Sequence, residues 1–200
     1  WAVNCACNHL LKVLNSGAQI TAAHIEEARK RHEVERDEAA SIGKKVHKWC
    51  ENHVKGVKQD MPTDPSVLNG VVAFLQWVEE HHVLINVSEQ IVYSRRHGYV
   101  GTLDAEGFVD GKFRLIDFKT SKPSKTSKSG VYKEHRYQVA AYRAAREEEG
   151  IKYEADPIIA RFDKETGNFE TYTIGNSKKD QKAFLGLLAA EKRRKEIGNL

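Results

Sequence analysis

Two aspartates and a lysine stand at a spacing that can gather around a cation. Asp104 and Asp117-Phe118-Lys119 belong to a segment that reads as a β-hairpin turning at Asp110-Gly111. An Asp-Gly pair is the strongest short signal for a two-residue type I′ loop, because both central residues need positive φ. With that turn Val109 pairs with Lys112, and counting outward sets Asp104 opposite Asp117. Side chains alternate faces along a strand, so Lys119 is expected on the face of both aspartates. Directly opposed residues bring their Cβ atoms to roughly 4.5–5.5 Å, where like charges destabilise a sheet. Two carboxylates so placed ask for positive charge between them. A divalent cation is the economical candidate, since hard cations take oxygen ligands.

The elements that must hold these residues follow from the rest of the pattern. Helices are expected over 1–16, from Thr21 to about His32, from about Asp37 to Gly56, and from Asp64 to about His82. Asp64-Pro65 starts the last of these, with Asp as N-cap and Pro at the first helical position. Residues 83–93 are rich in Val and Ile and predict a strand. Strands over 100–109 and 112–119 follow, then a Ser/Lys-rich loop over 121–130 and a helix over 133–149. Residues 157–162 and 168–174 predict a second hairpin, and Asn176 or Ser177 caps a last helix to about Ile197. The order predicts an α/β fold whose central mixed, mainly antiparallel sheet is flanked by helices, with an N-terminal helical region. One sheet face is expected to carry Leu103, Ala105, Val109, Ile116 and Phe118. The carboxylate face is expected to add Phe108, Phe113 and Leu115, so helices should cover both faces. A single domain is expected: a mainly helical region over 1–82, a sheet core over 83–175 and a C-terminal helix over 176–200.

Composition narrows the class. Hydrophobic residues make up 40% and charged residues 30% of the 200, which fits a globular chain with a sizeable core. No apolar run approaches the roughly 18–20 residues of a membrane span, so no membrane partner is expected. Cys5, Cys7 and Cys50 are too few and too oddly spaced for a disulfide framework and predict reduced thiols in an intracellular, cytoplasmic protein. The chain opens at Trp1 inside a helix and its only methionine is Met61. The natural N-terminus, and any organelle-targeting segment with it, is therefore expected to be missing. The net charge of +4 is unevenly spread. Lys122, Lys125, Lys128 and Lys133 lie between Lys119 and Arg136, opposed only by Glu134, and Lys192–Lys195 forms a second cluster. Basic patches suit a polyanion. The second cluster reads as a solvated helix face; the first leaves directly from the carboxylate pair and is expected to contact phosphate.

Five pieces stand in order along the chain: Gly43-Lys44-Lys45-Val46-His47, Glu89, Gly101-Thr102-Leu103-Asp104, Ile116-Asp117-Phe118-Lys119-Thr120 and Gln138-Val139-Ala140-Ala141-Tyr142. In order and rough spacing they resemble the PD-(D/E)XK nuclease superfamily, in its RecB-type or phage-exonuclease branch. The resemblance implies a restriction-endonuclease-like core. It implies Mg²⁺ or Mn²⁺ held by Asp104, Asp117, the Phe118 backbone carbonyl and His47, with Glu89 supporting metal or substrate. Lys119 would position or deprotonate the attacking water, or stabilise charge on the phosphate. Gln138 and Tyr142, four apart on one helix face, would organise the site. Glu51 is one turn beyond His47 and reads as a solvated acid. Thr120 and Ser121 can donate to phosphate. Tyr132 and Tyr137, interleaved with Lys133 and Arg136, can stack on unpaired bases. Some RecB-type nucleases hold an iron–sulfur cluster with one early and three late cysteines. No cysteine follows Cys50, and a cluster needs about four thiolates, so none is expected.

The function expected is therefore a metal-dependent deoxyribonuclease, an exonuclease acting on DNA ends or single strands in repair, recombination or phage DNA processing. It would work alone, as a homo-oligomer or with a recruiting protein. A structure-specific endonuclease or an RNA-cleaving relative would share the same core. A catalytically inactive binding module is disfavoured by the joint presence of Asp104, Asp117 and Lys119. A two-carboxylate glycosidase would leave Lys119 without a role.

Overall fold

The computed structural model describes residues 1–121 and 132–198. The chain divides into two compact units, Trp1–Lys45 and Val46–Leu200. The first contains α1 (Ala2–Asn15) and the start of α2 (Ala22–Val54). Thr21 and His24 close the start of α2 reciprocally: the His24 N–H meets the Thr21 hydroxyl at 3.4 Å, and the Thr21 N–H donates to the imidazole at 3.2 Å. This is the geometry of a capping box. The Cys5 thiol donates to Glu35 at 3.2 Å and ties α1 to α2.

The expected interruption between His32 and Asp37 does not occur. The intervening Glu33-Val34-Glu35-Arg36 holds neither Gly nor Pro, and Arg31 pairs with Glu35 one turn away. Long charged side chains are good helix formers, so α2 runs unbroken for 33 residues.

The second unit is an α/β assembly. Its further elements are α3 (Pro65–Glu80), β1 (Leu84–Ser94), β2 (Tyr99–Val109), β3 (Lys112–Ser121), α4 (Lys133–Glu148), β4 (Ile158–Asp163), β5 (Phe169–Thr173) and α5 (Ser177–Gly198). The Asp64 carboxylate caps α3 by accepting from the Ser66 and Val67 N–H groups. The sheet order is β1-β2-β3-β4-β5. Neighbours are antiparallel except for β3 and β4, which are parallel and joined by the α4 crossover. The β2–β3 turn is as expected: Asp110 and Gly111 have φ of 51° and 72°, and Val109 pairs with Lys112.

Helices cover both faces. On one, α3 seals Phe74 and Trp77 against Phe118 and Phe162, with the Phe118 ring edge-on to both Phe74 and Trp77. On the other, α4 packs Val139 against Leu115, Ile159 and Ile174, and α5 lies against α4. Buried Glu106 anchors α4 from β2: its carboxylate receives Arg146 at 2.9 and 2.8 Å and also the Tyr153 hydroxyl. No helix among the described residues is long and apolar enough to cross a membrane. The three cysteines are free thiols.

Strict alternation in β2 fails at one place, and the expected face assignment changes there. Leu103 packs with Val92 against Ala145 of α4, while Glu106, three residues on, also meets α4. Period-two alternation would put them on opposite faces. Leu103 therefore leaves the face of Ile116 and Phe118, and Asp104 turns away from α4.

Candidate functional site

The slip in β2 is matched in β1. Glu89 has φ of 51°, the left-handed region that costs a non-glycine residue on the order of 1 kcal/mol or more. Pairing is regular at Ser88↔Ala105 and at Gln90↔Leu103 and is absent for Glu89 and Asp104 between them. The β2–β3 ladder likewise stops at Ala105↔Ile116. Asp104 is thus released from both neighbours. Its Oδ2 instead accepts the Phe118 N–H at 2.7 Å, filling the gap where the strands part. The Ala105↔Ile116 register carried one residue further sets Asp104 across from Asp117, as expected; the Asp104 carboxylate itself meets the Phe118 N–H and lies near His47.

This placement builds a cluster. Ligand atoms of His47, Glu89 and Asp104 all lie within 4.8 Å of one another. The side chain of α2 enters here, since His47 Nδ1 is 3.9 Å from Asp104 Oδ1 and its ring stands edge-on to Phe118. Cys50, Glu51, Val54 and Ser88 complete the small cleft. Burial lowers the pKa of His47, and the charge of Lys119 lowers it further; Glu89, Asp117 and the Phe118 main chain oppose this. A neutral imidazole beside two carboxylates is the form that binds metal. Burial also pushes Asp104 up to about 6, against the pull of Lys119 and the Phe118 N–H.

Asp117, Lys119, Gln138 and Tyr142 form a second group on the α4 face. Asp117 is 1% exposed and likewise raised to about 6, first by burial. Lys119 Nζ is 2.7 Å from Asp117 Oδ2, but off the angle of a hydrogen bond, and neither Asp117 oxygen accepts one among the described residues. A buried carboxylate with open lone pairs is costly unless a cation completes it. Lys119 also donates to Gln138 Oε1 at 3.3 Å, and the Gln138 amide donates to the Tyr142 hydroxyl at 3.0 Å. Gly101 makes room for this line, because a Cβ there would collide with the Tyr142 ring.

The remaining expected residues are distributed differently. Glu51 binds Lys48 and Lys55 rather than His47. The Arg136 guanidinium is committed to the Gly175 carbonyl and Asp180, both at 2.8 Å, which joins α4 to α5 and turns it from the expected phosphate contact. The Ser121 hydroxyl accepts from Arg161 at 3.4 Å, and the Thr120 hydroxyl is buried without a hydrogen bond. Tyr137 lines a cavity of about 460 Å³ with Tyr99, Tyr142 and Phe184. Tyr132 and Lys133 are exposed at the start of α4. Lys122, Lys125 and Lys128 lie outside the described residues. One residue was not anticipated. His135 is pushed down to about 4 by burial and then by Lys119, and its Nδ1 lacks a partner among the described residues. Its position in the Lys/Tyr-rich start of α4 was the only signal.

The arrangement can hold a divalent cation on His47, Glu89 and Asp104, with Asp117 supplying further negative charge. It can also present an ammonium, fixed by Asp117 and Gln138, beside that cation. No model of a known protein family matches the chain, and no curated protein is significantly similar to it in sequence.

Proposed function

We propose that the chain is a divalent-metal-dependent deoxyribonuclease with a restriction-endonuclease-like core, degrading DNA from its ends. One observation carries the reading. Where β1, β2 and β3 part, a His–Glu–Asp cluster and a carboxylate-bound lysine converge from opposite faces of one sheet. Phosphodiester hydrolysis needs this combination: a cation site for the phosphate oxygen and the attacking water, and a second positive group for the charge that develops. A bound metal would supply Lewis acidity and lower the pKa of its water. The mixed nitrogen and oxygen donor set suits Mn²⁺ as well as or better than Mg²⁺, which prefers oxygen alone.

The protein's own residues do the rest. Asp117 and Gln138 hold the Lys119 ammonium in one place, so no reorientation is needed as the phosphate becomes more negative. Tyr142 fixes the Gln138 amide. Asp104, bonded to the Phe118 N–H, is oriented before any ligand arrives.

The test is a time course on end-labelled linear DNA and on closed circular DNA, with Mn²⁺, with Mg²⁺ and with chelator. Metal-dependent loss of linear DNA with circles spared is expected. An Asp117→Ala protein of unchanged circular dichroism should lose the activity, and normal cleavage by that variant would remove the assignment.

A further inference from the structure

We infer that the outer face of the β1–β2 hairpin is a platform for a single DNA strand, running from the metal-binding cluster to the hairpin tip. The inference rests on the nuclease reading above and adds how substrate is held. Beyond the slip, β1 and β2 pair regularly, with Ile91 opposite Thr102 and Tyr93 opposite Val100. Val92 and Leu103 point to α4. Alternation therefore sends Ile91, Tyr93, Val100 and Thr102 to the other face, in line with Glu89 and Asp104. That face is open. Ile91 is 62%, Tyr93 41% and Val100 71% exposed, a contiguous apolar surface of the kind that marks a binding site.

Charge identifies the occupant. At the tip, Arg95 lies over the Tyr93 ring at 5.4 Å and donates to its hydroxyl at 3.3 Å. Neither Arg95 nor Arg96 has a carboxylate partner among the described residues. The neighbouring acid is already engaged, since Glu148 accepts from the Ser94 hydroxyl at 2.6 Å and the Arg96 main chain at 3.4 Å. Lys192 reaches the His97 carbonyl at 2.9 Å, so the tip is braced from behind by α4 and α5 while its guanidinium groups face out. An aromatic ring among aliphatic side chains, ending in unpaired arginines, matches a strand of stacked bases and phosphates. A duplex offers this surface only phosphates, which the apolar residues cannot use. Tyr93 is four positions beyond Glu89, roughly 13 Å of strand, or about four stacked nucleotides at 3.4 Å per step. The platform thus holds the strand a few nucleotides from the phosphate to be cut.

Fluorescence anisotropy of labelled oligo(dT) in chelator tests this on the full chain. Tyr93→Ala should weaken binding roughly tenfold. The double variant Arg95→Gln/Arg96→Gln should flatten the slope of log affinity against log salt by about 1.4, from 0.7 per lost contact. Turnover of a small phosphodiester, bis(p-nitrophenyl) phosphate, with Mn²⁺ should be unchanged in both, because it cannot reach the platform. No oligo(dT) binding by the parent, or unchanged binding by both variants, overturns the inference. Equal losses on a blunt duplex overturn its single-strand character. A parent dimer that the variants dissociate, with oligo(dT) binding intact, would make the face a contact between copies and overturn it too. If the parent hydrolyses neither the small diester nor DNA but the variants lose oligo(dT) affinity, the platform stands and the nuclease assignment falls.

Discussion

Asp104 and Asp117 work against the metal-free fold. Both titrate near 6 when buried, while in an unfolded chain an aspartate titrates near 3.9. Between those values the folded protein holds protons that the unfolded chain has released. Stability is therefore greatest below about pH 4 and falls as pH rises through 6, by on the order of 2–3 kcal/mol for each group. An Asp104→Asn protein keeps an acceptor for the Phe118 N–H but never has to carry the charge. In chelator at pH 7.5 its melting temperature should exceed that of the parent by roughly 5–10 °C, and at about pH 3, below the unfolded pKa, the gain should vanish. Equal melting at pH 7.5 would mean that the carboxylate is not strained by burial. Added Mn²⁺ should raise the parent far more than the variant, because the charge that destabilises the metal-free fold is the one that would bind the cation. Lys119→Ala predicts a different signature: turnover falls by a hundredfold or so, while the Mn²⁺ affinity read by calorimetry barely moves. The line Asp117–Lys119–Gln138–Tyr142 was legible in sequence, since period two on a strand and four residues on a helix each fix one face. His135 was not, because nothing in the spacing says that a histidine in a charged first turn will lie close to Lys119.

Among the elements, β1 and β2 carry the departure from regularity that makes the site. The Asp-Gly turn and the five strands could be read from turn chemistry and strand composition. The slip could not, because it is a backbone event at Glu89, whose side-chain type gives no hint of positive φ. Two substitutions separate its strain from its chemistry. Both Glu89→Ala and Glu89→Gly lose a candidate ligand and should weaken Mn²⁺ binding alike. Glycine accepts φ of 51° freely, so the Gly protein should be the more stable of the two by about 1 kcal/mol, seen in urea unfolding with unchanged m. A less stable Gly protein would show that the left-handed backbone is not under strain. Gly101 makes the complementary case between β2 and α4. Gly101→Ala should push the Tyr142 ring aside and break its bond from Gln138. Turnover should fall without loss of metal affinity, and a Gly101→Ala/Tyr142→Ala double variant, in which the ring is gone, should be no worse than Tyr142→Ala alone.

At the scale of the molecule, the two units differ in what they bury. In Trp1–Lys45 only Cys5 and Ala28 are well buried, whereas Val46–Leu200 seals Phe74, Trp77, Leu103, Leu115, Ile116 and Phe162 around its sheet. Local stability follows buried apolar contact. The boundary falls inside α2, at the residue before Val46, so one helix spans a weakly and a strongly stabilised region. The sequence showed no such boundary, because α2 is charged on both sides of it and its one glycine, Gly43, does not interrupt the helix. His47 lies just beyond, and with Glu89 and Asp104 it joins α2 to β1 and β2 through the cation they would share. Native-state hydrogen exchange should therefore resolve three tiers. Amides of α1 and the first turns of α2 exchange fastest. Those of 46–54, Leu84–Ser94 and the Asp104 end of β2 are intermediate, and those of β3 and β4 are slowest. Saturating Mn²⁺ should slow the middle tier, and with it the slowest tier whose exchange also opens the site, by RT ln(1 + [L]/Kd), or about 2.7 kcal/mol at a hundredfold excess over Kd, and leave α1 unchanged. Protection spreading equally through α1 would show that the first unit unfolds together with the second. No change in the middle tier would show that His47, Glu89 and Asp104 do not share a cation.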